Sequence, residues 1–178
     1  MTGDQRTTTI WTVGHSVHPI ARFIELLRGA AVALVVDTRA RPYSRFNPHF
    51  NRERLREALE GAGIAYLWRG AALSGRPAEK RFYRPDGALD LDALWRWPAL
   101  QAGLDEVAAE AGTKRTALLC AEEDPLVCHR RFLLTPPLLA RGAAVLHIRG
   151  DGRIEPEPEL AAREAVRPKR SRRTSPTH

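Results

Sequence analysis

Apolar residues fall into two rhythms along this chain. Runs that are apolar at nearly every position recur at Ile10-Trp11-Thr12-Val13, Val32-Ala33-Leu34-Val35-Val36, Ile64-Ala65-Tyr66-Leu67, Thr116-Ala117-Leu118-Leu119 and Ala143 to Ile148. Such runs are strands covered on both faces. Between them apolar residues repeat at helical spacing: Ile20, Phe23, Ile24 and Leu27; Leu55, Ala58, Leu59 and Ala62; Leu100, Leu104, Val107 and Ala108. Pro19, Asn51 and Pro98 open these helices, and Gly29, Gly61 and Gly63 punctuate their ends. Strand and helix in alternation predict an α/β fold, a single Rossmann-like domain over residues 1–150 with a five-stranded, mainly parallel sheet flanked by helices. A strand order of 3-2-1-4-5 would bring the ends of strands one, two and four together at the switch point, where open α/β sheets bind ligands.

Three stretches break the rhythm. Residues 39–50 mix Arg39, Arg41 and Arg45 with Pro42, Tyr43, Phe46 and Pro48, a stiff basic loop. Residues 68–97 form a long connection, which reads either as a flap over a site or as aromatic filling for the side of the core. Thr135-Pro136-Pro137 predicts a break before a second short helix to Ala140. After Gly150 the pattern fades, so residues 151–178 read as a disordered Pro/Arg-rich tail with at most a fraying helical turn around Leu160 to Val166.

Composition adds little to the fold and more to the setting. The 178 residues are 43% hydrophobic and carry a net charge of +7. Five of those charges, Arg167, Lys169, Arg170, Arg172 and Arg173, sit in the tail, which leaves the body near +2. The tail is either a solvated end or a salt-sensitive contact for nucleic acid or another polyanion. No apolar run reaches membrane-spanning length, no secretory leader is visible, and only two cysteines are present, so a cytoplasmic protein without membrane contact is expected.

The chemistry collects at the polar ends of the predicted strands. Gly14-His15-Ser16, Asp37-Thr38-Arg39 and Cys120-Ala121-Glu122 each follow an apolar run, and Cys128-His129-Arg130 follows shortly after. His15 suits acid/base work, ligand binding or a structural hydrogen bond on a turn where Gly14 allows close backbone approach. Asp37 could orient a ribose hydroxyl or an arginine. Cys120 reads first as a small buried thiol. Cys128, beside His129 and Arg130 at the expected start of a helix after Asp124-Pro125, is a candidate nucleophile. His15 with Glu122 or Asp37 would move protons, and Arg39, Arg45 and Arg130 are guanidiniums able to hold a phosphate or carboxylate in a bidentate grip. Gly14, Ser16 and His129 complete the expected substrate contacts. No metal site is expected, because consecutive residues on one helix diverge by about 100° and Cys128 and His129 would point apart. Neither a Gly-x-Gly-x-x-Gly fingerprint nor a Walker loop is present, which argues against standard dinucleotide or NTP binding and leaves the cofactor open.

Thr12-Val13-Gly14-His15-Ser16, Val36-Asp37-Thr38-Arg39, the loop Pro42-Tyr43-Ser44-Arg45-Phe46-Asn47-Pro48 with Phe50, and Cys120-Ala121-Glu122 leading to Cys128-His129-Arg130-Arg131 resemble the Domain of Unknown Function 488 family. The resemblance runs from about Ile10 to Ile148 and implies one small α/β domain with no established reaction. It departs from the family where Leu73-Ser74-Gly75-Arg76 stands for a Leu-Gly-Gly-Arg run, and where Pro136-Pro137 interrupts a helix that usually continues. Together these features predict an enzyme acting on a phosphorylated, nucleotide-like or nucleic-acid substrate at the carboxyl ends of the strands. A non-catalytic nucleic-acid or anion-binding module is the alternative, and a metal- or redox-responsive protein a third.

Overall fold

The computed structural model describes residues 8–166. The basic tail expected beyond Val166 lies outside the described residues. In chain order the structure runs β1 (Thr9–Gly14), α1 (Ile20–Gly29), β2 (Leu34–Asp37), α2 (Arg52–Gly61), β3 (Ala65–Trp68), α3 (Gly70–Leu73), α4 (Leu91–Trp95), α5 (Pro98–Ala111), β4 (Thr116–Cys120), α6 (Thr135–Ala140), β5 (Ala144–Ile148), β6 (Ile154–Pro156) and α7 (Glu157–Ala165). No helix among the described residues is long and apolar enough to cross a membrane.

The sheet is α/β in kind as expected, but its strand count and order differ. Six strands lie in the order β3-β2-β4-β1-β5-β6, all parallel except β6, which pairs antiparallel with β5. The central place between β2 and β1 belongs to β4, every residue of which is buried. Strand β6 and helix α7 were hidden in the presumed tail because each is short and partly polar. They are held by a buried network instead of an apolar stripe. His147 Nε2 lies 2.8 Å from a carboxylate oxygen of Glu157, the first residue of α7, and Arg131 Nε reaches both oxygens of Glu157 at 3.0 Å.

Alternate residues of each strand feed two cores. Val13, Val35, Ala117 and Leu119 meet α1 and α2 through Phe23, Leu27, Leu55 and Leu59, with Phe50 beside them. Ile10, Leu34, Val36 and Leu118 meet α5 and the 130s segment through Leu100, Leu104, Leu133 and Leu138. Each fully buried leucine contributes about 1.5–3 kcal/mol. The connection between β3 and α5 does both things its sequence allowed. Leu73, Phe82 and Leu94 are core residues, while residues 74–79 wall a cleft at the carboxyl ends of the strands.

The segment after β4 is not the single helix that Asp124-Pro125 suggested. Asp124 does cap, accepting from Leu126 N at 3.1 Å, but the helical turn ends at Val127 and Cys128 is extended, with φ −116° and ψ 139°. A wide π-helical turn, Arg130–Leu134, then leads into α6. Pro136 and Pro137 have no N–H for the carbonyls one turn back. The wide turn accommodates this, and Trp95 Nε1 donates to the Leu133 carbonyl at 2.9 Å.

Candidate functional site

The floor of the cleft is set where three parallel strands end side by side. Gly14 is level with Cys120 and Asp37 with Leu119, and the ladder continues past the strands through His15 N to Cys120 O and Ser16 N to Ala121 O. A Cβ at Gly14 would lie 1.8 Å from the Glu122 carbonyl oxygen, so only glycine lets these two loops touch.

A buried ion pair fixes this floor. Arg39 Nε and one terminal nitrogen grip the Asp37 carboxylate at 2.9 and 2.6 Å, and the same terminal nitrogen donates to Phe50 O at 3.0 Å. Tyr66 OH donates to Asp37 at 2.7 Å. The other terminal nitrogen faces His15 Nε2 at 3.1 Å, while His15 Nδ1 lies 2.8 Å from Ser16 O. An arginine only donates, so Nε2 accepts and Nδ1 carries the hydrogen. His15 stacks on Phe50 at 4.2 Å, and burial, then the Arg39 charge, push its pKa down to about 4. Both ring nitrogens are committed, so the base role expected of His15 has no free lone pair to work with. Asp37, fully buried beneath Arg39, offers no carboxylate oxygen to the cleft.

Beside this floor lies a denser group. Cys120 Sγ is 2.7 Å from Glu122 Oε2 and 3.3 Å from His129 Nδ1. Cys128 Sγ is 3.4 Å from the same Glu122 oxygen and 4.0 Å from the same His129 nitrogen. The extended backbone at Cys128 undoes the expectation that these neighbours diverge, because it turns thiol and imidazole toward one point. Thr38 fixes the ring: its hydroxyl gives its one proton to Leu119 O at 2.9 Å and can only accept from His129 Nε2 at 3.1 Å. In the neutral ring, Nδ1 is therefore the bare nitrogen, aimed at both sulfurs.

The group is electrostatically sorted. A hydrogen bond from Cys120 lowers the Cys128 pKa to about 5, against the opposing effect of burial, with help from the Arg130 charge. The Cys120 thiol is pushed up by the same bond and by burial, so it keeps its proton. Burial resists ionisation of Glu122, but the Cys120 proton, shared with Cys128, and the residue's own backbone N–H outweigh it and hold the carboxyl below its usual range.

Arg130 is the group's support and does not face the cleft. It is wholly buried, and its terminal nitrogens donate to the Glu122 and Glu123 carbonyls. The expectation that it holds substrate is corrected on that ground. Arg45 likewise lies on the surface over the Phe46 ring, outside the cleft lining, and Ser16 serves through its backbone.

The cleft itself encloses about 980 Å³ and is lined by His15, Arg39, Cys120, Glu122 and His129 on its inner side. Its outer side carries Arg41, Tyr43, Ser44, Arg76, Trp97 and Phe132. Arg41 and Arg76, both exposed, are the cations that face it freely, and reading the sequence alone did not single them out from the other arginines. Thr38 was also missed, since a buried threonine after a strand carries no signal of its own. Gly75 presses the outer wall onto His129, where a Cβ would meet the His129 Cβ at 2.5 Å.

Compared with known proteins, the chain matches the model of a family described as Domain of unknown function DUF488 over residues 19–135. The match takes in the whole thiol, carboxylate and imidazole group and leaves His15 outside. No curated protein and no solved structure matches the chain.

Proposed function

The chain belongs to the DUF488 family, whose description assigns no reaction, and we propose from the geometry of the cleft that it is an enzyme acting on a phosphorylated or nucleotide-like substrate. One observation carries this reading. The Cys120 thiol, the Glu122 carboxylate and the His129 imidazole, with Cys128 packed behind them, gather at the closed end of a cleft whose open rim bears two guanidiniums. Perturbed groups gathered in one concavity mark reactive sites more often than structural ones.

Roles follow from which atoms are free. Arg41 and Arg76 hold the anion, since Arg39 and Arg130 are consumed by Asp37 and by loop carbonyls. Tyr43 and Phe132 offer exposed ring faces on which a flat base can rest. Proton transfer falls to Glu122, the carboxylate exposed to the cleft. His15, with no free lone pair, keeps Arg39 in place.

The test has two arms on the full chain. Inorganic phosphate and ADP are titrated into wild type and into the Arg41→Ala/Arg76→Ala double variant, and turnover is screened over phosphoesters and nucleotides with Glu122→Gln as control. Loss of charge-assisted contacts worth about 1.5–3 kcal/mol each should weaken phosphate by about tenfold or more. Equal affinity in the double variant would overturn the reading. So would DNA or RNA binding with a steep salt slope that survives the double variant and disappears on deleting residues 167–178, the behaviour of a non-catalytic module.

A further inference from the structure

We propose that Cys120, Cys128 and His129 bind a zinc-class divalent ion at the closed end of the cleft, with Glu122 as an exchangeable fourth ligand. The inference deepens the enzyme reading only in giving that site a metal; binding itself is independent of it.

The donor set comes first. Two sulfurs, one imidazole nitrogen and one carboxylate oxygen lie within 4.8 Å of one another. Bonds of about 2.0–2.3 Å in a tetrahedron place such donors roughly 3.3–3.8 Å apart. Four of the six donor separations, 2.7, 3.3, 3.4 and 4.0 Å, straddle that range and the others lie within 4.8 Å, so modest side-chain rotations would close the site. Two thiolates with an imidazole are soft and borderline ligands that favour zinc over magnesium or calcium.

The surroundings are prepared in the way metal sites require. A ligating histidine needs its other nitrogen hydrogen-bonded to fix the tautomer, and Thr38 does this for His129 with its own proton committed to Leu119 O. The second observation is Arg130. It is 0% exposed, ion-pairs with no carboxylate among the described residues, and has an Nε without a partner. A buried cation requires a counter-charge. Two thiolates and a carboxylate around a divalent ion carry one net negative charge, which matches the charge of Arg130.

Access also differs among the ligands. Cys120 and Cys128 are 3% and 1% exposed, whereas Glu122 is exposed and lines the cleft with His129. The buried side of the site is therefore closed by protein, and the position held by Glu122 is the one that water or an anionic substrate can take. Three protein ligands with an open fourth place are the arrangement of catalytic zinc, in contrast to closed structural sites.

The experiment uses the full chain, reduced and stripped of metal. Zinc is titrated against a chromophoric chelator, and cobalt is substituted to read ligation by its thiolate charge-transfer and tetrahedral visible bands. About one equivalent is expected, with the charge-transfer band diminished in Cys120→Ser and in Cys128→Ser. Those serines could unfold the loop, so Thr38→Val and Glu122→Gln are measured with circular dichroism alongside. Thr38→Val should keep the fold and weaken zinc by about 10–100-fold. Glu122→Gln should keep the thiolate band and bind more weakly. Substoichiometric metal on the reduced wild type, unchanged affinity in folded Thr38→Val, or a Cys120–Cys128 disulfide in place of metal would each overturn the site. Phosphate titrated into the same samples separates the two proposals: phosphate without zinc removes this one alone, and zinc without phosphate removes the other.

Discussion

Replacing Arg39 with methionine tests whether the cleft's most buried guanidinium is scaffold or ligand. Methionine fills much of the arginine stem but leaves the Asp37 carboxylate, 0% exposed, with Tyr66 OH and a backbone N–H as its remaining partners. It also frees the Phe50 carbonyl and His15 Nε2. Removing one partner of a buried ion pair costs about 3–5 kcal/mol, because the other charge stays buried. With a urea slope of about 2 kcal/mol/M for a small domain, the unfolding midpoint should fall by about 1.5–2.5 M. Tryptophan fluorescence reads this directly, since Trp11 and Trp68 lie on β1 and β3. Asp37→Asn added to Arg39→Met should recover part of the loss by discharging the orphaned carboxylate. The contrast is Arg41→Ala, an exposed position, where stability should stay within about 0.5 kcal/mol while phosphate affinity drops. If Arg39→Met left stability within 1 kcal/mol of wild type and yet abolished phosphate binding, Arg39 would be the anion ligand and the assignment of the floor would be wrong.

Three further outcomes follow from the packing. Burial resists ionisation of Glu157, but hydrogen bonds from His147 and Arg131 outweigh it and hold its carboxyl below the ordinary 4.5. Its folded value is depressed, so its contribution is complete above pH 4.5 and is lost as pH falls through the folded value. Glu157→Gln should therefore lower stability at pH 7 and flatten the acid limb of a thermal-melt series; an unchanged limb would mean that the α7 network does not titrate. Trp95→Phe should cost about 1–3 kcal/mol in urea unfolding, because the Leu133 carbonyl facing Pro137 loses its donor. Gly14→Ala should cost about 3 kcal/mol or fail to fold, as its Cβ meets the Glu122 carbonyl, and a stable, unperturbed variant would show that the two loops do not touch as described.

The strands and most helices were legible because burial on both faces, or on one stripe, leaves an unambiguous period. The start of α5 at Pro98 was readable from the proline, and its buried face from the spacing of Leu100, Leu104 and Val107. Strand order was not. β1, β2 and β4 are all heavily buried, and hydrophobicity alone cannot rank three strands that compete for a central place. Strand β6 escaped notice, and α7 showed only as a fraying turn, for a different reason: Arg131, His147 and Glu157 attach them through a polar network, which has no periodicity to detect.

The candidate site shows the same limit at the level of single residues. That His15, Arg39, Glu122 and His129 would share one place was readable, because parallel strands discharge their polar ends on one side. Which arginine does what was not, since Arg39, Arg41, Arg45, Arg76 and Arg130 are chemically identical and differ only in what buries them. A carboxylate two residues away claims Arg39, loop carbonyls claim Arg130, and Arg41 and Arg76 are left to the solvent and to any ligand. Cys128 is the sharpest instance. Read as part of a helix, it points away from His129 and a shared ion is excluded. One extended residue between two helical turns reverses the conclusion, and no propensity in Leu126-Val127-Cys128-His129 announces it. The backbone there is set by distant partners: Arg130 must reach the Glu122 and Glu123 carbonyls, Gly14 must meet the same loop, and Gly75 must press on His129. Two glycines far away in sequence, together with the local grip of Arg130 on its own loop, thus help decide the conformation of one cysteine, and with it whether its sulfur and the His129 ring turn toward one point.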